Sequence, residues 1–225
     1  MTVGEIVTRV RAAIDELMAN DSDFLRESTD EANLTSVIID KIGYALQHIM
    51  ENAPLDKLDD DAFEEFTPSE LASRFRIDTD LVGHVKLPTD ILRIIEARLS
   101  SWSHFPIPEK DTSQIYLMQQ DQYARGSWDR PVNILTYNGK DRMLEMYCAK
   151  TANDTLNFVF IRKPDLSDAD LSDMDTDVSV PSSLQASLIY QIAGLSMVAF
   201  REEVAASLFA IADRYLDPKK TENGD

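Results

Sequence analysis

The period of the apolar residues changes twice along the chain, and this restricts the fold more than any other feature: helical spacing at both ends, strand-like runs between them. Thr2 and Glu5 stand at capping-box spacing ahead of Ile6, Val7, Val10, Ala13, Ile14 and Leu17, which predicts an amphipathic helix over residues 3–18. Leu34, Val37, Ile38, Ile42, Ala45, Leu46 and Ile49 predict a second helix over residues 33–50, in a region that Pro54 closes. Near the other end, Pro181 and its adjacent serines suit a helix start, with Leu184, Leu188, Ile189, Ile192, Ala193 and Leu195 following. A last helix is expected from about Glu202 to Leu216, through Val204, Ala205, Leu208, Ile211, Ala212 and Tyr215. Pro218 marks its end.

Between these helices the strongest strand signals are Val132 to Tyr137, Met143 to Cys148 and Leu156 to Arg162. Asn138-Gly139 lies where a tight hairpin turn needs φ > 0, so the first two should pair antiparallel. Gly83 to Pro88 reads as extended, and Ile91 to Ser100 as a strand or a short helix. Residues 56–82 are acidic and mixed, with a short helix starting at Pro68. Asp165 to Asp177 carries six aspartates and no cation, and is expected to be a solvated loop.

The fold class is therefore α+β, with N- and C-terminal helices packed as a helical bundle and a small antiparallel β-sheet in the middle. One domain is expected over residues 1–216, helical over 1–55 and 181–216 and β-containing over 83–164. Residues 165–180 are an acidic linker, and 217–225 a flexible tail.

Composition narrows the chemistry. A formal charge of −18 argues against binding a phosphate backbone, which requires Lys and Arg to neutralise it. Such a surface confers solubility, or lets DNA slide past without sticking. Cys148 is the lone cysteine, so no intrachain disulfide forms, and neither a secretory leader nor a membrane span is expected. His48, His84 and His104 have no metal-ligand spacing, and no His-Glu-x-x-His, Cys-x-x-Cys, Gly-x-Gly-x-x-Gly or Gly-x-Ser-x-Gly motif occurs. Seven glycines leave little capacity for phosphate-cradling loops. No catalytic residue and no cofactor is expected, because Cys148 lacks a positioned base.

Two features retain a functional reading beside a bland one. Asp173, Asp175 and Asp177 begin like a calcium loop, but Val178 replaces the turn-making glycine and Leu184 the final glutamate. A solvated acidic loop is favoured over weak divalent binding. Trp102, Phe105, Tyr116, Tyr123 and Trp128 form either an interface patch, with Trp102 and Trp128 as its anchors, or the completion of a small core.

Four phrases stand out: the opening Thr2-Val3-Gly4-Glu5-Ile6-Val7-x-Arg9-Val10-Arg11, then Gly83-His84-Val85-Lys86-Leu87-Pro88-Thr89-Asp90-Ile91-Leu92-Arg93-Ile94, Gly126-x-x-x-Arg130-Pro131-Val132 and Val180-Pro181-Ser182-Ser183-Leu184. In these phrases and in the order of segments, roughly Thr2 to Leu216, the chain resembles the head-to-tail connector (portal-adaptor) proteins of tailed bacteriophages. Its acidic region from Asp56 to Asp80 departs from the tighter versions of that pattern.

The resemblance implies a non-enzymatic virion protein, made in the host cytoplasm, that forms a ring of about twelve copies below the portal protein. Such a ring extends the DNA channel, passes DNA without specific binding and gives neighbouring tail or ring proteins a platform. Asp217, Pro218, Lys219 and Lys220 become candidates for ordering on a neighbouring ring. Two rivals stay open: a small acidic phage protein acting as a binding module on a host or phage partner, and a divalent-dependent enzyme built on the Asp165 to Asp177 carboxylates.

Overall fold

The computed structural model describes residues 1–18, 28–121, 123–166 and 170–218. It is an α+β structure whose chain separates into two compact units, Met1–Asp60 with Lys163–Asp225, and Asp61–Arg162.

The first unit holds helices α1 (Val3–Met18), α2 (Ser28–Asn52), α5 (Gln185–Met197) and α6 (Glu202–Leu216). A further seven-residue helix, α3 (Pro68–Arg74), and α4 (Gln114–Gln120) lie in the second unit. The apolar stripe of α1 is buried at Val3, Ile6, Val7, Val10, Ala13 and Ile14, and that of α2 at Ile38, Ile42, Ala45, Leu46 and Ile49. Helix α5 is buried almost all round, from Ser187 to Met197, as expected of a helix with neighbours on every side. It packs against α1, α2 and α6.

The approach of α5 to α6 is close enough to select for small residues. A Cβ on Gly194 would lie 2.5 Å from the Phe209 ring. Along the same contact, Ser187 Oγ donates to the Ala212 carbonyl at 3.0 Å, and Tyr190 and Tyr215 stack with centroids 5.6 Å apart. Lys57 reaches this pair, donating from Nζ to the Tyr215 carbonyl at 2.6 Å.

The second unit contains two sheets where the sequence suggests one small antiparallel sheet. The first has the order β1 (Glu64–Glu65), β8 (Leu156–Arg162), β4 (Ile91–Leu99). The second runs β2 (Phe75–Ile77), β3 (Gly83–Lys86), β7 (Asp141–Tyr147), β6 (Val132–Asn138), β5 (Glu109–Lys110). All pairings are antiparallel except that of β5 with β6. Ile91 to Leu99 is thus a strand, as its branched residues favour.

The β6–β7 hairpin closes at Asn138 opposite Asp141, and Gly139, first of the two loop residues, takes φ +65°. Glycine there tolerates the left-handed backbone that two-residue hairpins need. One buried cluster draws on both sheets, with Val85, Leu144 and Met146 from one and Ala97, Leu99, Phe158 and Phe160 from the other. The sheets therefore share a core.

Candidate functional site

The acidic segment is fastened at its C-terminal end. Backbone Val3 N and Gly4 N donate to the Thr176 and Met174 carbonyls, each at 2.9 Å, and Val178 N donates to the Met1 carbonyl at 2.7 Å. Thr2 and Asp177 form a β-bridge, and Val178 is buried. The solvated-loop expectation therefore describes the side chains of this stretch better than its backbone. Asp173 accepts from Asp175 N at 3.0 Å, while Asp177 accepts from the Met1 amino group at 2.9 Å. Hydrogen bonds from Ser172 hold the Asp170 carboxyl below its ordinary value. Among the described residues no group of three His, Cys, Asp or Glu is placed to hold a metal ion. Asp168 lies outside the described residues.

The aromatic residues divide between the two readings. Trp102 is buried in the shared core, its Nε1 donating to the Cys148 carbonyl at 3.2 Å, so it is no surface anchor. Phe105 and Tyr116 pack against buried clusters. Trp128 and Tyr123 are exposed, Tyr123 almost fully at 96%.

These two belong to a surface built by α4 and the loop after it. Ser113 caps α4 by accepting from Tyr116 N at 3.2 Å. Gln119, the one buried residue of that helix, accepts from Gly126 N at 3.3 Å and so folds the following loop back on the helix. Arg125 secures the same return, donating from Nε to the Gln119 carbonyl at 3.0 Å and from Nη1 to the Asp80 carbonyl at 3.3 Å. Its guanidinium stands 5.5 Å from the centroid of Tyr147.

Outside this brace the apolar side chains of α4 face solvent: Leu117 is 66% exposed, and Ile115 and Met118 are exposed as well. An open cavity of about 440 Å3 lies between α4 and the loop, with Met118, Arg125, Arg130 and Val132 among its lining residues. Lys150 Nζ sits 4.6 Å from the Trp128 ring centroid. Asp121 and Asp129, the carboxylates of the loop, are engaged locally, by Tyr123 N and by Ser127 Oγ.

Cys148 has φ +74°, and its Sγ donates to the Gly126 carbonyl at 2.8 Å. Burial pushes its thiol above the ordinary value, with Arg125 opposing weakly, so the thiolate is disfavoured. Tyr147 is also pushed up, first by burial and then by Glu145, to which its hydroxyl donates at 2.7 Å.

His84 Nε2 lies 2.9 Å from Asp78 Oδ2, and Asp78 Oδ1 accepts from the Asp80 and Val82 amides, which makes the group a brace for the β2–β3 turn. His48 and His104 are exposed. Asp217 closes α6, its amide donating to the Asp213 carbonyl at 2.9 Å, with Pro218 next. Lys219 and Lys220 lie outside the described residues. No described helix is long and apolar enough to cross a membrane.

Sequence reasoning missed the α4 surface as a unit. Its signal was the Ser113 cap ahead of Ile115, Leu117 and Met118, an apolar run too short to show a period.

A scan against protein-family models finds no match, and a search of curated proteins finds none either.

Proposed function

We propose that this chain is a non-enzymatic head-to-tail connector of a tailed bacteriophage, assembling as a ring of about twelve copies below the portal and extending the DNA channel. The observation that carries the reading is where the connector-like phrases fall. Leu87-Pro88-Thr89-Asp90 forms the turn into β4, where Asp90 pairs with Arg162 at the end of β8. Val180-Pro181-Ser182 leads into α5, and Gly126 is the point where the α4 loop folds back. These three phrases thus occupy junctions on which the positions of whole elements depend, while the opening phrase lies along α1.

In this reading the helices of the first unit act as a bundle, and the two-sheet unit interrupts that unit in sequence. The charge of −18 suits a wall past which DNA moves, since acidic side chains repel phosphates. The exposed apolar side chains of α4 suit a chain whose surface is covered by neighbours. The alternative, an acidic binding module, requires only one small partner.

Electron microscopy of labelled particles separates them. With an affinity tag on the full chain, gold label is expected at the junction of head and tail in particles from the source lysate. Label confined to small soluble complexes contradicts the connector.

A further inference from the structure

Helix α4 is turned inside out. Its one buried residue is Gln119, while Ile115, Leu117 and Met118 face solvent. Tyr116 packs against a small cluster of Val82, Ile134 and Tyr147, set apart from the core that the two sheets share. Little apolar area therefore holds α4 down, the reverse of an amphipathic helix on a core. With only seven residues it is also too short to persist alone in water.

Polar clasps do the holding instead, and they gather at the C-terminal end of α4. Gln120 Nε2 donates to the Tyr147 hydroxyl at 3.2 Å, and Arg125 donates to the Gln119 and Asp80 carbonyls. Cys148 Sγ donates to the Gly126 carbonyl, which fastens the loop to the end of β7. Water can replace each of these bonds once the segment lifts, so each contributes little net stability. The strands beneath have firmer support, from the full β6–β7 ladder and from Leu144 and Met146 in the shared core.

Strain lies at the same place. Leu81 and Cys148 are the non-glycine residues with positive φ, at 58° and 74°. The Ala149 amide donates to the Leu81 carbonyl at 2.9 Å, so the two strained positions adjoin each other and the clasps. Left-handed backbone without glycine is costly, and it clusters at elements that switch.

We infer that α4 and the loop residues 123–131 form a strap that opens as a unit while both sheets stay folded, uncovering Cys148 and the Tyr147 ring. The closed strap shields the Val82, Ile134 and Tyr147 cluster. This assignment does not rest on the connector reading, and neither outcome below bears on it.

Cys148, the lone cysteine, reports the opening. Its reaction with an aromatic disulfide is followed on the full chain at rising urea, below the unfolding transition. Reaction through a local opening is expected to be nearly independent of urea, because little surface is exposed. A rate that climbs over that whole range with the slope of global unfolding overturns the strap.

Direct attack on a half-buried thiol is also insensitive to urea, and Arg125→Ala separates the two by sign. The Arg125 charge draws the Cys148 thiol down, so its removal slows direct attack. Loss of its clasps instead speeds a reaction that waits on opening, by about tenfold. A slower or unchanged rate contradicts the assignment. Should Arg125→Ala fail to fold, hydrogen exchange of the unsubstituted chain decides. Amides of residues 115–121 and 123–126 are expected to exchange together and well before those of β6 and β7, and protection equal to that of the strands overturns the proposal.

Discussion

Asn133 on β6 donates through Nδ2 to the main-chain carbonyl of Ala97 on β4 at 3.0 Å, a side-chain bond from one sheet to the other inside the second unit. The same nitrogen donates to the Pro106 carbonyl at 3.1 Å, and Asn133 is wholly buried. One amide therefore bonds two main-chain carbonyls, that of Ala97 inside the core.

Asn133→Leu removes both hydrogen bonds, for an expected loss of about 1–3 kcal/mol. Asn133→Asp is expected to cost more at neutral pH, because it places a charge without donors in the same site. Urea unfolding of the full chain measures both.

Gly194 is the small residue that lets α5 and α6 meet at the Phe209 ring. Gly194→Ala is expected to lower stability by about 1–3 kcal/mol through overpacking, despite alanine's better helix propensity. Pairing it with Phe209→Leu should recover part of the loss. A double-mutant cycle by thermal melting reads the coupling directly.

Acid should weaken the fold through Asp78 and Asp154. Burial works to raise both carboxyls, but hydrogen bonds outweigh it, from His84, Val82 and Asp80 at Asp78, and from Ser101, Lys150 and Thr151 at Asp154. Both end below their ordinary values. A depressed carboxyl stabilises the fold above its unfolded-state value and loses that contribution as pH falls through the folded one. The melting temperature is therefore expected to drop on acidification below about pH 4, and Asp154→Asn to flatten the drop.

Cys148 is expected to react with a thiol-specific reagent at least about tenfold more slowly than a free thiol at pH 8, because its thiol is half-buried, donates to the Gly126 carbonyl and is pushed up by burial. A rate equal to that of the unfolded chain contradicts this placement.

Much of this architecture is legible in the sequence where one local period runs uninterrupted. Val3–Met18, Leu156–Arg162 and Glu202–Leu216 have the bounds that capping residues, turn residues and apolar spacing predict. The division of strands into two sheets is not legible, because β8 pairs with β1 and β4 across long stretches of chain. The parallel β5–β6 pair involves two residues of each strand, too few to leave a pattern. Leu81 and Cys148 take positive φ without the glycine or asparagine that would announce it. At the candidate surface, Trp102 and Trp128 look alike in sequence, yet one fills the core and the other lies outside it. Only the tertiary position of β7 separates them, since Trp102 is held by the carbonyl that follows that strand.

The central claim concerns assembly, and symmetry is its most direct readout. Single-particle imaging of the affinity-purified complex from the source lysate is expected to reveal a closed ring of about twelve copies of this chain, bound to larger rings and enclosing a channel wide enough for duplex DNA. A small complex with one partner and no cyclic symmetry contradicts the account.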